Sequence, residues 1–224
     1  MGETQIWNNQ SNERSRIIQP PQRMTAIMGT QERRSTDNTV NVVVVDRSKS
    51  TKDAISNTDN RRKLDGIKEA TTQFITNVPR TAYISVITFH DSAKSIWDMS
   101  PVEQNKLHII KAIQGIPIGE STQMIVALML AEKQLQKAPS NFFKRLYLLT
   151  DGLPNDNPTA QAEKLKAQNV QISTIGFGEG YQIDEDLLRN MASKSKTGNP
   201  LYYHFKNLAN LTGFFRRESI TKTF

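Results

Sequence analysis

From Val40 onward, short apolar runs alternate with stretches whose apolar residues recur every three or four positions, the signature of strands alternating with amphipathic helices. "TVNVVVVD" (Thr39–Asp46) is a solid apolar run of the kind buried on both faces of a central parallel strand. "RKLDGIKEATTQFITNV" then sets Leu64, Ile67, Phe74, Ile75 and Val78 at helical spacings, closed by Pro79. "AYISVITFHDSAKSIWDMS" predicts two strands turning near Asp91 and Ser92, an antiparallel hairpin at a sheet edge. A helix over Val102–Gln114, the loop "GIPIGEST", a helix over Gln123–Lys137 and the strand "KRLYLLTD" follow. The last third repeats the rhythm: a helix over Thr159–Gln168, the strand "VQISTIGFG", a helix over Asp184–Ser193, the strand "LYYHF" and a terminal helix to about Arg216. Such alternation predicts an α/β fold with a doubly wound, mostly parallel sheet, one antiparallel edge strand and helices on both faces.

Residues 1–38 lack either period. They are rich in Asn, Gln, Arg and Ser, are broken by Pro20 and Pro21, and read as a polar, flexible arm. The expected organisation is this arm, one domain over 39–217, and a short tail over 218–224. A length of 224 residues suits one packed α/β domain with such extensions.

Composition removes several function classes. The absence of cysteine excludes disulfide staples, thiolate metal sites and cysteine nucleophiles, and fits a reducing, cytoplasmic setting. No run reaches the length of a membrane span, and the N-terminal segment has no signal-peptide core. Gly2 alone does not make a myristoylation site, because Ile6 stands where that motif requires Ser or Thr. The net charge of +7 is concentrated beyond Arg189, where Lys194, Lys196, Lys206, Arg216, Arg217 and Lys222 face only Glu218. That is a basic end and not a basic groove with interleaved aromatics, so a solvated surface or an acidic protein partner is expected ahead of nucleic acid.

Open parallel sheets carry their sites at the carboxyl ends of strands, near a topological switch point. Two strands here end in an acid, Asp46 and Asp151. Either alone is ordinary turn chemistry. Asp46, however, is followed at alternate positions by Ser48 and Ser50, so that a carboxylate and two hydroxyls can converge, and "GEST" (Gly119–Thr122) brings further hydroxyls to a helix start, where N-capping by Ser121 or Thr122 is the plain alternative. Oxygen donors without sulfur or imidazole suit Mg²⁺ or Mn²⁺ better than Zn²⁺ or Cu²⁺. Neutral hydroxyls would leave such an ion much of its charge, and hence a demand for an anionic ligand.

"DRSKS", the threonine of "GEST", and "LLTDG", in that order, resemble the metal-ion-dependent adhesion site of a von Willebrand factor A domain: Asp-x-Ser-x-Ser, then Thr, then Asp. The resemblance extends over roughly residues 39–217 and includes "TIGFGEGYQIDEDLLRNMA", similar to the family's late strand, glycine turn and helix. It implies Ser48, Ser50 and Thr122 as hydroxyl ligands of Mg²⁺ or Mn²⁺, with Asp46 and Asp151 touching the metal or holding its waters, and a position left for a partner protein's Asp or Glu carboxylate. Members of the family generally bind proteins this way and catalyse nothing. The chain departs from the common pattern in Glu120 and Ser121, where a second glycine often precedes the threonine, and in Arg47 and Lys49, bases that either attract an acidic partner or pair with Asp53 and Asp59, the second being slightly favoured. Among relatives, the chain looks closest to the small cysteine-free bacterial cytoplasmic members of the tellurium-resistance type, which act beside a Ser/Thr kinase and a protein phosphatase, and its ending "NLTGFFRRESITKTF" is similar to their short aromatic-basic tail. An adaptor of a AAA-type ATPase is a further possibility.

Enzymatic alternatives are weaker. "GFGEG" (Gly176–Gly180) lacks the GxGxxG spacing and follows a late strand, and His90, His108 and His204 are scattered with no serine elbow nearby. The most serious rival is a Mg²⁺-dependent phosphohydrolase with Asp46 as nucleophile, but such enzymes want a second acid two residues on, where this chain has Ser48.

Overall fold

The four valines Val42–Val45 have no exposed surface, and their alternate side chains enter two different cores. Val43 and Val45 join one cluster, while Val40, Val42 and Val44 join the other. This is the period of two expected of a strand covered on both faces. A computed structural model describes residues 38–179 and 183–220; the polar arm expected over 1–38 therefore lies outside the described residues, apart from Asn38, as do residues 221–224 of the expected tail.

Strand β1 (Thr39–Asp46) leads through a 3₁₀ turn (Lys49–Lys52) and a small hairpin of β2 (Ala54–Ser56) and β3 (Asp59–Arg62) into helix α1 (Lys63–Asn77). Then come β4 (Tyr83–Phe89), β5 (Ala93–Pro101), α2 (Lys106–Gln114), α3 (Met124–Gln136), β6 (Phe143–Thr150), α4 (Thr159–Ala167), β7 (Val170–Phe177), α5 (Glu185–Met191), β8 (Tyr202–Phe205) and α6 (Leu208–Ile220). The main sheet has the order β5-β4-β1-β6-β7-β8. Every neighbouring pair is parallel except β4 and β5, the expected edge hairpin. Residues of α1, α2 and α6 pack on one face, those of α3, α4 and α5 on the other.

Three elements differ from the sequence expectation. The helix expected from Val102 begins at Lys106, because the Val102 N–H donates to Ala82 O at 2.9 Å and its side chain is fully buried, which ties it to the start of β4 instead. The terminal helix expected to stop near Arg216 continues to Ile220. There Glu218 accepts from the Tyr147 hydroxyl at 3.1 Å, and its carbonyl accepts from Arg145 at 3.1 Å. The hairpin of β2 and β3 is too polar to show an alternation. Its one apolar anchor, Ile55, is fully buried against Gly66 and Phe177: a Cβ on Gly66 would lie 3.1 Å from Ile55 Cδ1 and 3.0 Å from Phe177.

Candidate functional site

Between β1 and β6 the chain direction across the sheet reverses. From β1 the chain crosses by α1 to β4 and the edge strand β5, then returns past β1 to β6 on its other side. The carboxyl ends of β1 and β6 therefore flank a switch point, the position at which open α/β sheets carry their ligand crevice. Asp46 ends β1, and Asp151 directly follows β6.

The segment after Asp46 folds back at once. The Thr51 N–H and hydroxyl both donate to Ser48 O, at 3.1 and 2.6 Å, closing the 3₁₀ turn. That turn sets the Ser48 and Ser50 hydroxyls 3.0 Å apart. The Ser50 hydroxyl donates to Asp151 Oδ1 at 2.9 Å, and the Ser48 N–H donates to Asp46 Oδ1 at 2.8 Å. Four of the five candidate positions thus form one continuous hydrogen-bonded chain from Asp46 through Ser48 and Ser50 to Asp151.

Thr122 is brought in by its loop. Gly119 N–H donates to Arg47 O and Gln123 N–H to His90 O, both at 2.6 Å, while Thr122 O accepts from Asn155 N–H at 2.8 Å. These bonds pin the loop to the segments that follow β1, β4 and β6, and Thr122 is left only 8% exposed. Neither Ser121 nor Thr122 caps α3. The Asp156 carboxylate, from the loop after β6, accepts from Met124 N–H at 3.0 Å and Ile125 N–H at 2.8 Å. Ser121 instead accepts from the Asn155 side chain at 2.7 Å. The capping alternative is thereby removed, and Asp156 is the residue that holds the helix end.

Both acids are completely buried. Burial, reinforced by the charge of Asp151, pushes Asp46 up to about 7, against the opposing hydrogen bonds from Thr150 and Ser48. Thr150 donates its hydroxyl to Asp46 Oδ2 at 2.6 Å. Burial also raises Asp151, and the ammonium of Lys63, 3.0 Å from Asp151 Oδ2, opposes that rise. Two buried carboxylates facing one crevice are an unfavourable pair that a cation would relieve. Among the described residues no group of three or more His, Cys, Asp or Glu gathers as a metal site. The side chains gathered at the ends of β1 and β6 offer two carboxylates and neighbouring hydroxyls, a donor set composed wholly of oxygen and of the kind that suits a hard dication.

Sequence reasoning missed Lys63, Thr150 and Asp156. Thr150 precedes Asp151 in "LLTD" and is the one neighbour that the motif itself could have suggested. The favoured pairing of Arg47 and Lys49 with Asp53 and Asp59 fails at Asp59, whose carboxylate is taken by Arg61 at 2.9 and 2.6 Å. Arg47 donates to Pro117 O at 3.5 Å and feels the charge of Asp91, while Lys49 is exposed.

The sequence model of the von Willebrand factor type A domain matches residues 42–217. No curated protein sequence matches with significance. Among solved structures, a von Willebrand factor type A protein from Catenulispora acidiphila superposes with TM-score 0.67 at 22% identity, over 82% of this chain and 42% of that one. Proximal thread matrix protein 1 of the mussel byssus, in a form described as having a zinc-occupied MIDAS motif, gives TM-score 0.66 at 21% identity, over 83% of this chain and 46% of that one. An aerotolerance-related membrane protein from Bacteroides fragilis gives TM-score 0.65 at 15% identity, over 81% of this chain and 98% of that one. The chain thus spans less than half the length of the first two. At these identities the likeness is one of fold.

Proposed function

The chain belongs to the von Willebrand factor type A domain family, and from that premise we propose that it is a divalent-cation-dependent protein-interaction module. Asp46, Ser48, Ser50, Thr122 and Asp151 would hold Mg²⁺ or Mn²⁺, and the ion would supply an electrophilic position for an Asp or Glu carboxylate of a partner protein. The observation that carries this reading is the hydrogen-bonded chain from Asp46 to Asp151 across the switch point. The residues of the chain have separate tasks. Thr150 orients Asp46, the turn closed by Thr51 aligns the two serines, and Asp156 and Asn155 hold the loop that presents Thr122. No side chain is assigned a catalytic step, since Ser48 stands where a phosphohydrolase of this geometry would need its acid.

The mussel protein is described with zinc in its MIDAS motif; the purely oxygen donor set here favours the harder ions. We place the module, on its cysteine-free composition and its aromatic-basic ending, among bacterial cytoplasmic adaptors of the tellurium-resistance type that work with a Ser/Thr kinase and a protein phosphatase. Among the described residues no helix is long and apolar enough to cross a membrane.

The test is an affinity pull-down with the full chain as bait, run in Mg²⁺, in excess chelator, and in Mg²⁺ with the Thr122→Ala protein. A partner retained only by the wild type in Mg²⁺ is the expected result. Because Thr122 lies in a loop and contributes one hydroxyl, the variant should lose only about 1 kcal/mol of stability. Equal retention in all three arms would contradict the proposal.

A further inference from the structure

Lys63 is an unusual residue for its place. It is the first residue of α1, where the helix dipole disfavours a cation, and its side chain is only 2% exposed. Burying an ammonium requires compensation, and Asp151 provides it, with Nζ 3.0 Å from Oδ2 and the carboxylate fully buried. The fold makes room for this lysine from a third element. Gly178, in the loop after β7, has φ +122°, and a Cβ there would stand 2.8 Å from Lys63 Cε. Only glycine tolerates both that backbone and that approach. Helix α1, the end of β6 and the end of β7 thus converge to seat one positive charge against Oδ2 of Asp151, while Ser50 donates to Oδ1.

We infer that Lys63 is a tethered counter-charge that makes the site bind a bare divalent ion weakly and an ion together with a carboxylate strongly. The inference rests on the proposed reading of Asp46, Ser48, Ser50, Thr122 and Asp151 as ion ligands. With both acids ionised and Lys63 charged, these three groups sum to one negative charge; a dication brings the sum to one positive charge. Without Lys63 the two buried acids and the ion would sum to zero; Asp53, whose charge also reaches Asp151, is exposed and screened by solvent. The residual positive charge lies in a buried, weakly screened setting. It opposes entry of the ion alone and is discharged when an anionic ligand completes the shell. The same charge resists adventitious loading in the absence of partner, so ion and carboxylate are taken up cooperatively.

The experiment measures Mn²⁺ binding to the full chain by the electron paramagnetic resonance signal of the free ion, with and without excess acetate. It compares wild type with Lys63→Met, which keeps the stem and removes the charge, and with Lys63→Gln, which keeps a donor. Both variants are expected to bind Mn²⁺ alone about tenfold or more tightly than wild type, as one removed like charge at close range predicts. Acetate should improve Mn²⁺ binding to the wild type more than to either variant. Both metal-free variants should melt below wild type, because Asp151 is left buried and uncompensated, and Mn²⁺ should raise their Tm by the larger margin. A lysine with a merely structural role would lower Tm without tightening Mn²⁺. Variants that bind Mn²⁺ no better than a wild type that does bind it would overturn the inference and leave the ion site standing. Absence of Mn²⁺ binding in all three proteins would overturn the ion site and the inference with it.

Discussion

Replacing Asp46 with Asn should abolish Mn²⁺ binding and, in the same protein, raise the stability of the metal-free fold. Asn preserves the local hydrogen bonds: its Oδ1 still accepts from Ser48 N–H, and its Nδ2 donates to the Thr150 hydroxyl, which can turn to accept. What disappears is the charge, which is fully buried and faces Asp151. The sign follows from linkage. Asp46 rises from 3.8 to about 7 on folding, so between those values the folded state binds the proton that the unfolded state has released. Stability of chelator-treated wild type should therefore fall as pH rises through that window and reach its floor above it. The full shift corresponds to on the order of 4 kcal/mol. Asp46→Asn should lack this pH dependence and exceed wild type by a similar amount at neutral pH, as read by urea unfolding in chelator. Adding Mn²⁺ should close the gap by stabilising wild type alone. An Asn variant less stable than metal-free wild type at neutral pH would show that the two acids are not in conflict.

The second large effect is expected at Gly119. This buried residue has its N–H on Arg47 O, and a Cβ there would come within 2.6 Å of His90 Cβ and Cγ and 3.0 Å of Arg47 Nη1. His90 cannot easily retreat, since its backbone is tied to Ser92 O on one side and to Gln123 N–H on the other. Gly119→Val must therefore move the loop, with a stability cost of about 1–3 kcal/mol typical of overpacking. Thr122 lies three positions on in the same pinned loop and moves with it. Mn²⁺ affinity should drop about 10–100-fold, as when the supports of metal ligands are removed. Calorimetric titration beside thermal unfolding separates the two effects, and a folded Gly119→Val protein with wild-type affinity would detach Thr122 from the site.

What could be read from the chain beforehand depended on the range of the interaction. The alternation of apolar runs and amphipathic stretches is local, and it carried the parallel sheet, the edge hairpin and both helical faces. Asp46, Ser48 and Ser50 lie within five residues and are aligned by one turn, so their convergence was visible in the sequence. Lys63 was invisible for the opposite reason. It opens a helix after a polar hairpin, and nothing near it in sequence says that its stem passes Gly178 to reach Asp151. Asp156 capping α3 from a loop more than 30 residues away is the same case. The hairpin of β2 and β3 went unread because pairing at Ala54 with Arg62 and Ser56 with Asp59 leaves only Ile55 to bury.

The proposed ligand set of Asp46, Ser48, Ser50, Thr122 and Asp151 is tested most directly by the anomalous diffraction of Mn²⁺ in crystals of the wild-type chain. One strong peak is expected in the crevice between β1 and β6, within about 2.0–2.6 Å of the Ser48, Ser50 and Thr122 hydroxyl oxygens. Asp46 and Asp151 should contact the ion directly or through its waters. A strong Mn²⁺ peak elsewhere on the protein with none in that crevice would contradict the ligand set, and with it the proposal that a partner's carboxylate is captured there.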